Sequence, residues 1–413
     1  MNTNYTSHKL STNSKLLMLC DLMYATTEIF VSTFLVAYFL KVTNESIVQI
    51  SLFYILIYSL LSLGNLFIGK TVKTQSQFAP KILSLGAIFR AIFILLIALL
   101  KDKIAIYFPF IAVLYAIAEV FYWVVHENIL IEVTTNENRK EYMALKTIFS
   151  KFINIVIPIV LGASIEFYSF SKIAIYVFII SFIQIIASLN IKQHNDLVKK
   201  NTDKYSIKNF INHLNTYQYN NILKYAKSAI AYGVIESSIR SLVVIITIMT
   251  FKTSFNLGVL TSLFSICSML ALYLYKNYYN KNNAKLVLYT CATCILLGVL
   301  GFLFDINKIT LIIYNFLYTI SISILSVIYN TKKGNLVKEC KIESWKTEFI
   351  VLIELFLAIG RVFGYIIMLI AGLLNHIMIF KILLLIVSVF APIYAKLMYK
   401  VEQSNDLENI VSS

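Results

Sequence analysis

The sequence is poor in charge. Asp, Glu, Lys and Arg make up 14% of its 413 residues, hydrophobic residues 59%, and the mean hydropathy is +0.76. A soluble domain must clothe its surface in polar groups, so this balance excludes one, and it excludes a disordered chain for the same reason. Glycine (12) and proline (4) are too scarce for a collagen-like or low-complexity protein. Five cysteines, Cys20, Cys267, Cys291, Cys294 and Cys340, make no disulfide framework. Cys291 and Cys294 form a C-x-x-C pair inside an apolar run with no further ligands nearby, so no metal and no cofactor is expected. A cleavable leader is not expected either, because the first apolar segment carries Asp21 and Glu28 and is too long for one. No phosphate loop of the form G-x-x-x-x-G-K-S/T is present, which argues against an ATP-driven pump.

What is present is length in apolar runs. They fall at about 16–40, 47–69, 81–100, 104–131, 142–165, 173–190, 222–250, 254–275, 286–304, 309–330, 347–372 and 377–399, twelve in all. A spanning helix needs ~20 apolar residues, so twelve would use ~240 and leave room for short loops but not for a large soluble domain. Spanning strands would alternate and be about half as long, so the runs are read as helices. The expected class is an all-α, multi-pass membrane protein.

Charge sets the orientation. With a cytoplasmic N-terminus, 22 Lys and Arg fall on inside segments, 6 on outside loops and 8 within spans. This asymmetry places both termini in the cytoplasm. The net charge of +15 is then a record of topology and not a sign of nucleic-acid binding. The longest loop, about 191–221, is polar and basic and divides six spans from six. It reads as a tether, with room for a short surface helix.

The two halves repeat. A shift of 207 aligns Asn128-Ile-Leu-Ile-Glu132 and Glu141-Tyr142 with Asn335-Leu-Val-Lys-Glu339 and Glu348-Phe349. In both, an acid precedes a base by seven positions: Glu132 and Arg139, then Glu339 and Lys346. A shift of 208 aligns Tyr24-x-x-x-Glu28 with Tyr232-x-x-x-Glu236. Duplicated six-helix units with a site between them at mid-membrane depth describe a secondary transporter.

Twelve spans, a central loop and paired acid-base motifs after spans 4 and 10 resemble the major facilitator superfamily. Span 11, with Glu348-Phe-x-Val-x-x-x-x and then Gly360-Arg361, is similar to a Gram-positive branch of transporters, the YqgE-like group. The resemblance implies two six-helix bundles, 1–190 and 222–400, joined by a cytoplasmic loop, 191–221, and followed by a tail, 401–413. It implies a cytoplasmic gate built from Lys70, Lys73, Glu132, Arg139, Glu339 and Lys346. It also implies that Tyr24, Tyr122, Trp123, Tyr232, Asn315 and Tyr318 lie on cavity-lining spans. The sequence departs from the pattern in places. Gly64 to Lys73 keeps Gly and Lys but lacks the usual Asp, and the matching loop 276–285 has no Gly. An exporter signature on span 5 is reduced to Pro158-x-x-x-Gly162, so direction is not legible from it.

Ionisable residues within a membrane are costly and mark function. Only four Arg occur, Arg90, Arg139, Arg240 and Arg361, and three lie within spans. Glu28, Arg90, Glu119, Glu236 and Arg361 fall near the middle of their helices, which suggests one layer. Asp21 is two turns from Glu28, and Glu354 two turns from Arg361. Glu236 and Arg240 are spaced to pair along one helix. Arg90 sits on a span that is peripheral in the superfamily and is read as a structural bond. Asp21, Glu28, Glu119, Glu236, Arg240, Glu354 and Arg361 are the candidates for proton coupling or substrate binding. His126 and Glu127 are expected at a wetted interface, Lys146 is expected to snorkel, and Lys151 to lie deeper.

The reading that follows is a monomeric secondary transporter in the cell membrane. It moves a small organic solute by alternating access, coupled to protons, more in keeping with efflux than uptake. Acidic and aromatic lining suits a cationic or amphipathic solute and Arg361 an anionic group; a zwitterion satisfies both. A lipid or lipid-linked glycan flippase on the same fold, and a transport-dead receptor, stay open. A membrane-embedded enzyme is disfavoured, because no compact catalytic constellation is legible.

Overall fold

The computed structural model describes residues 10–74, 76–134, 139–192, 205–279, 283–304, 307–374 and 376–411. The long helices follow the apolar runs: α1 (Thr12–Val42), α2 (Ile47–Thr74), α3 (Ala79–Leu100), α4 (Ile104–Val133), α5 (Arg139–Phe167) and α6 (Phe170–Leu189). After a short connecting helix, Ile207–His213, come α7 (Thr216–Phe251), α8 (Ser254–Tyr278), α9 (Ala284–Phe304), α10 (Lys308–Glu339), α11 (Lys346–Leu374) and α12 (Ile377–Val411).

Among the described residues, eleven stretches are long and apolar enough to cross a membrane. The difference from the twelve expected runs lies in one stretch, Ala79–Leu130, whose 52 residues take in α3 and nearly all of α4. The polar trio Lys101-Asp102-Lys103 separates these two helices, with Lys101 at φ 47°.

Local sequence explains the helix boundaries. Asn215 and Gln218 form a capping box at the start of α7, and Asn307 and Thr310 one at the start of α10. α7 therefore begins at Thr216, ahead of the apolar run at 222, because a capped first turn can be polar. Within α1 the backbone widens into a π turn over Phe30–Leu35, just past Glu28. Such turns frequently sit at functional sites.

Packing brings the two halves of the chain together. α11 lies along both α7 and α2, and α5 lies along α8. α3 packs between α4 and α6, away from that seam. The α5–α8 contact needs glycine: a Cβ on Gly162 would press on the Ser254 carbonyl, and one on Gly258 on that of Pro158. The Pro158-x-x-x-Gly162 motif is thus one side of a close helix crossing.

A continuous apolar core runs from Phe34 and Ile57 through Ile246 and Tyr365 and on to Phe210, Leu336 and Phe349. At the base, where α1 begins, a second core joins Leu17, Leu83 and Val125 to Val351 of α11. Large apolar side chains such as Phe67, Ile106, Phe167 and Phe304 point outward, each over 70% exposed, as a surface facing lipid requires.

Candidate functional site

A cavity of about 720 Å³ lies in the seam. Its walls come from α1, α2, α4 and α5 on one side and α7, α8, α10 and α11 on the other. α3, α6, α9 and α12 contribute nothing to the lining among the described residues.

The first wall centres on Arg90, which reaches across from α3. Its guanidinium bonds Glu28 at 2.6 Å, Thr27 Oγ1 at 2.9 Å and Glu119. It stacks over the ring of Tyr24, 4.1 Å from the centroid. Glu119 also accepts from Tyr24 at 2.7 Å and from the Trp123 indole at 2.8 Å, and Glu28 accepts from Tyr115 at 3.0 Å. Arg90 is buried, and a buried cation is tolerable only with such partners. Its planar fork lets one side chain hold two carboxylates on different helices.

The second wall inverts the ratio, with one carboxylate between two guanidiniums. Glu236 lies 3.2 Å from Arg240 of its own helix and 3.2 Å from Arg361 of α11. Arg361 stacks over Tyr58 at 5.0 Å. Asn315 donates to Thr247 at 3.1 Å, the Tyr318 hydroxyl donates to the Ile235 carbonyl at 3.2 Å, and Tyr232 stacks on Tyr329.

Nearer the base, Asp21 accepts from Tyr142 at 2.7 Å and from Tyr122 at 3.1 Å, and Lys146 Nζ at 2.8 Å and His126 Nε2 at 2.5 Å lie beside it. The imidazole stacks on Tyr122.

A model of the Major Facilitator Superfamily matches residues 17–339. The chain belongs to that superfamily. Among curated proteins, no sequence matches it. Solved structures with the same fold include a variant of the nucleoside transporter NupG, 13% identical at a TM-score of 0.67 over 95% of this chain and 100% of that one. A bacterial metal transporter is 12% identical at 0.62, over 95% and 99%. A bacterial homologue of the iron transporter ferroportin in its inward-facing state is 12% identical at 0.64, over 96% and 100%. At these identities the likeness shows the fold. Membership of the superfamily indicates a transporter. Among the described residues no group of three or more His, Cys, Asp or Glu is placed to hold a metal ion.

In this superfamily member the charged candidates fall into several local clusters around one cavity. Asp21, Glu28, Glu119, Glu236, Arg240, Glu354 and Arg361 all line the cavity, as do Tyr24, Tyr122, Trp123, Tyr232, Asn315 and Tyr318. Asp21 and Glu28 share a helix but serve different clusters. Glu354 pairs not with Arg361 but with Lys333, at 3.2 Å. Lys333 also bonds Glu127 at 3.2 Å, tying α10 to α4 across the seam. A second tie is Lys73 of α2 to Glu348 of α11, at 2.5 Å, with Lys73 under the Trp345 ring at 4.6 Å.

These ties correct several expectations. His126 is buried against Asp21 and not wetted, because Asp21 needs donors once desolvated. Lys146 turns inward to the same carboxylate and does not snorkel. Glu339 faces Lys332 at 3.1 Å, an approach within its own helix that the spacing to Lys346 concealed. Lys70 is exposed and has no carboxylate partner among the described residues. The side chains of Glu132 and Arg139 lie outside the described residues. Glu348 and Lys333 tie the two halves together and were not among the gate residues expected from the sequence. A signal existed: His126 and Lys333 are 207 apart, and Lys146 and Glu354 are 208 apart, so the same repeat positions carry charge in both halves.

The connecting helix sits over the second tie. Phe210 is fully buried, and His213 lies 5.5 Å from Trp345. Outside the spans, burial and the nearby Glu348 charge push the Tyr205 hydroxyl up to about 12.

Proposed function

We propose that the protein is a secondary active transporter that moves a small organic solute by alternating access between two six-helix bundles, 1–190 and 222–400. Reading Ala79–Leu130 as two spans, divided at Lys101, restores twelve. The excess of Lys and Arg on alternate loops supports cytoplasmic termini and hence a base that faces the cytoplasm. The cell membrane is its place and a monomer its working unit.

The observation that carries this reading is the cavity in the seam, in which buried carboxylates meet arginines donated from other helices. Carboxylates so placed can exchange an arginine partner for a proton when the walls separate, which is the physical basis for proton coupling. The ties at the base supply the second requirement. Lys73–Glu348 and Lys333–Glu127 join the two halves and must part whenever the base opens. Each direction of transport uses the same parts; efflux is favoured by the aromatic, acidic lining.

The test is reconstitution in liposomes holding a pH-sensitive dye. Addition of pooled amino acids, peptides, sugars, organic acids and cationic drugs is expected to give proton flux with one pool and none with empty liposomes. Full flux in Glu28→Gln, Glu119→Gln and Glu236→Gln variants alike would remove the coupling role.

A further inference from the structure

The two walls of the cavity carry opposite excess charge. On the first, Glu28 and Glu119 share the single guanidinium of Arg90, leaving one negative charge over when both are ionised. On the second, Arg240 and Arg361 share the single carboxylate of Glu236, leaving one positive charge over. A polar site that is fully matched within the protein has no use for a charged ligand. Here each wall lacks one charge of the sign that the other wall has to spare.

The most accessible member of each set faces the same space. The Glu28 side chain is 30% exposed and that of Arg240 52%, against 7% for Glu119 and 20% for Arg361. Glu28, Arg240 and the Glu236 that pairs with Arg240 all line a small recess of about 40 Å³, together with Tyr58 and Tyr115. Yet among the described residues Glu28 and Arg240 make no ion pair with each other. Two unlike charges in a low-dielectric recess attract strongly. Holding them apart leaves a gap that a ligand with a cationic and an anionic group can bridge, and the recess itself has room only for the ligand's small polar end or a water.

We propose that the substrate is a zwitterion: its ammonium docks on Glu28, its carboxylate on Arg240, and its remaining bulk lies in the main cavity against the tyrosines. This rests on the transporter reading of the same cavity. Bridging the two halves through the ligand's own charges also links binding to closure, because neither wall is neutralised until both touch the ligand.

The experiment is calorimetric binding to the full-length protein in detergent, with three probe sets: pooled α-amino acids and dipeptides, their methyl esters, and their N-acetyl forms. The zwitterions are expected to bind at least ~10-fold more tightly than either capped set, the loss expected for one charge-assisted hydrogen bond. Glu28→Gln is expected to abolish the preference over the N-acetyl forms, and Arg240→Gln the preference over the esters. Equal binding of zwitterions and either capped set, or no binding of any zwitterion, overturns the proposal. So does loss of the ester discrimination in Lys151→Gln and not in Arg240→Gln, since Lys151 also lines the cavity. Liposome proton flux separates the two readings. Zwitterion binding with neither proton flux nor entry of the labelled solute into the liposomes sinks the transporter reading alone, and flux with a purely cationic or anionic solute sinks the zwitterion alone.

Discussion

Arg90 shows how a single side chain can hold a membrane protein's interior together. It stands between two carboxylates that would otherwise face each other with like charge, and its stem and plane fill the space beside Tyr24. Removing one partner of a buried pair typically costs about 3–5 kcal/mol. Arg90→Leu is therefore expected to destabilise the protein by about that amount, read as a lower denaturation midpoint in detergent. Arg90→Lys should recover only part of the loss, since an ammonium lacks the fork that spans α1 and α4. Adding Glu119→Leu to Arg90→Leu should cost less than the two separately, as the pair acts as a unit. Arg90 stood out in the sequence as one of four arginines. Glu28 and Glu119 stood out too, but their pairing with it did not, because they are 62 and 29 residues away and no spacing rule connects three helices.

At the scale of elements, helix crossings decide where the cavity can be. The α5–α8 contact is a backbone-on-backbone approach at Gly162 and Gly258. Gly258→Ala is expected to cost about 1–3 kcal/mol, the usual penalty of overpacking, measured by thermal unfolding. Gly301→Ala on α9 is the control: nothing lies within 4 Å of the added methyl, and alanine is the better helix former. The connecting helix Ile207–His213 makes a different kind of contact. Its Phe210 packs at 6.1 Å from Trp345, whose ring covers Lys73. Phe210→Ala is expected to loosen this cover, seen as faster proteolysis of the loop and faster amide exchange at the start of α11. The short helix was legible as a possibility in the polar loop; its docking place was not, because seven residues carry too little pattern to name a partner.

At the scale of the whole molecule, two kinds of contact hold the seam. Apolar packing runs along it, and at the base two ion pairs are added to that packing. Ionic ties are set by partner choice and can be rewired. Lys73→Glu and Glu348→Lys are each expected to open the base by placing like charges together, and the double exchange to restore closure. The readout is labelling of Ser150→Cys, a cavity residue, by a thiol reagent in a background without the five native cysteines. Labelling should quicken in each single variant and slow again in the exchange. Unchanged labelling in both single variants would show that this tie does not hold the base shut.

The sequence by itself determined that the chain is helical and membrane-bound. Hydropathy over ~20 residues is a local property that needs no partner to be read. It also determined which residues would be exceptional, because charge in an apolar run is visible wherever it falls. Only the tertiary structure decided how those charges are shared. Two acids took one arginine on one wall and one acid took two on the other, Asp21 took His126 and Lys146, and Lys333 took Glu127. Such choices depend on distances between helices far apart in the chain, and burial favours whichever partner lies within reach of each donor and acceptor.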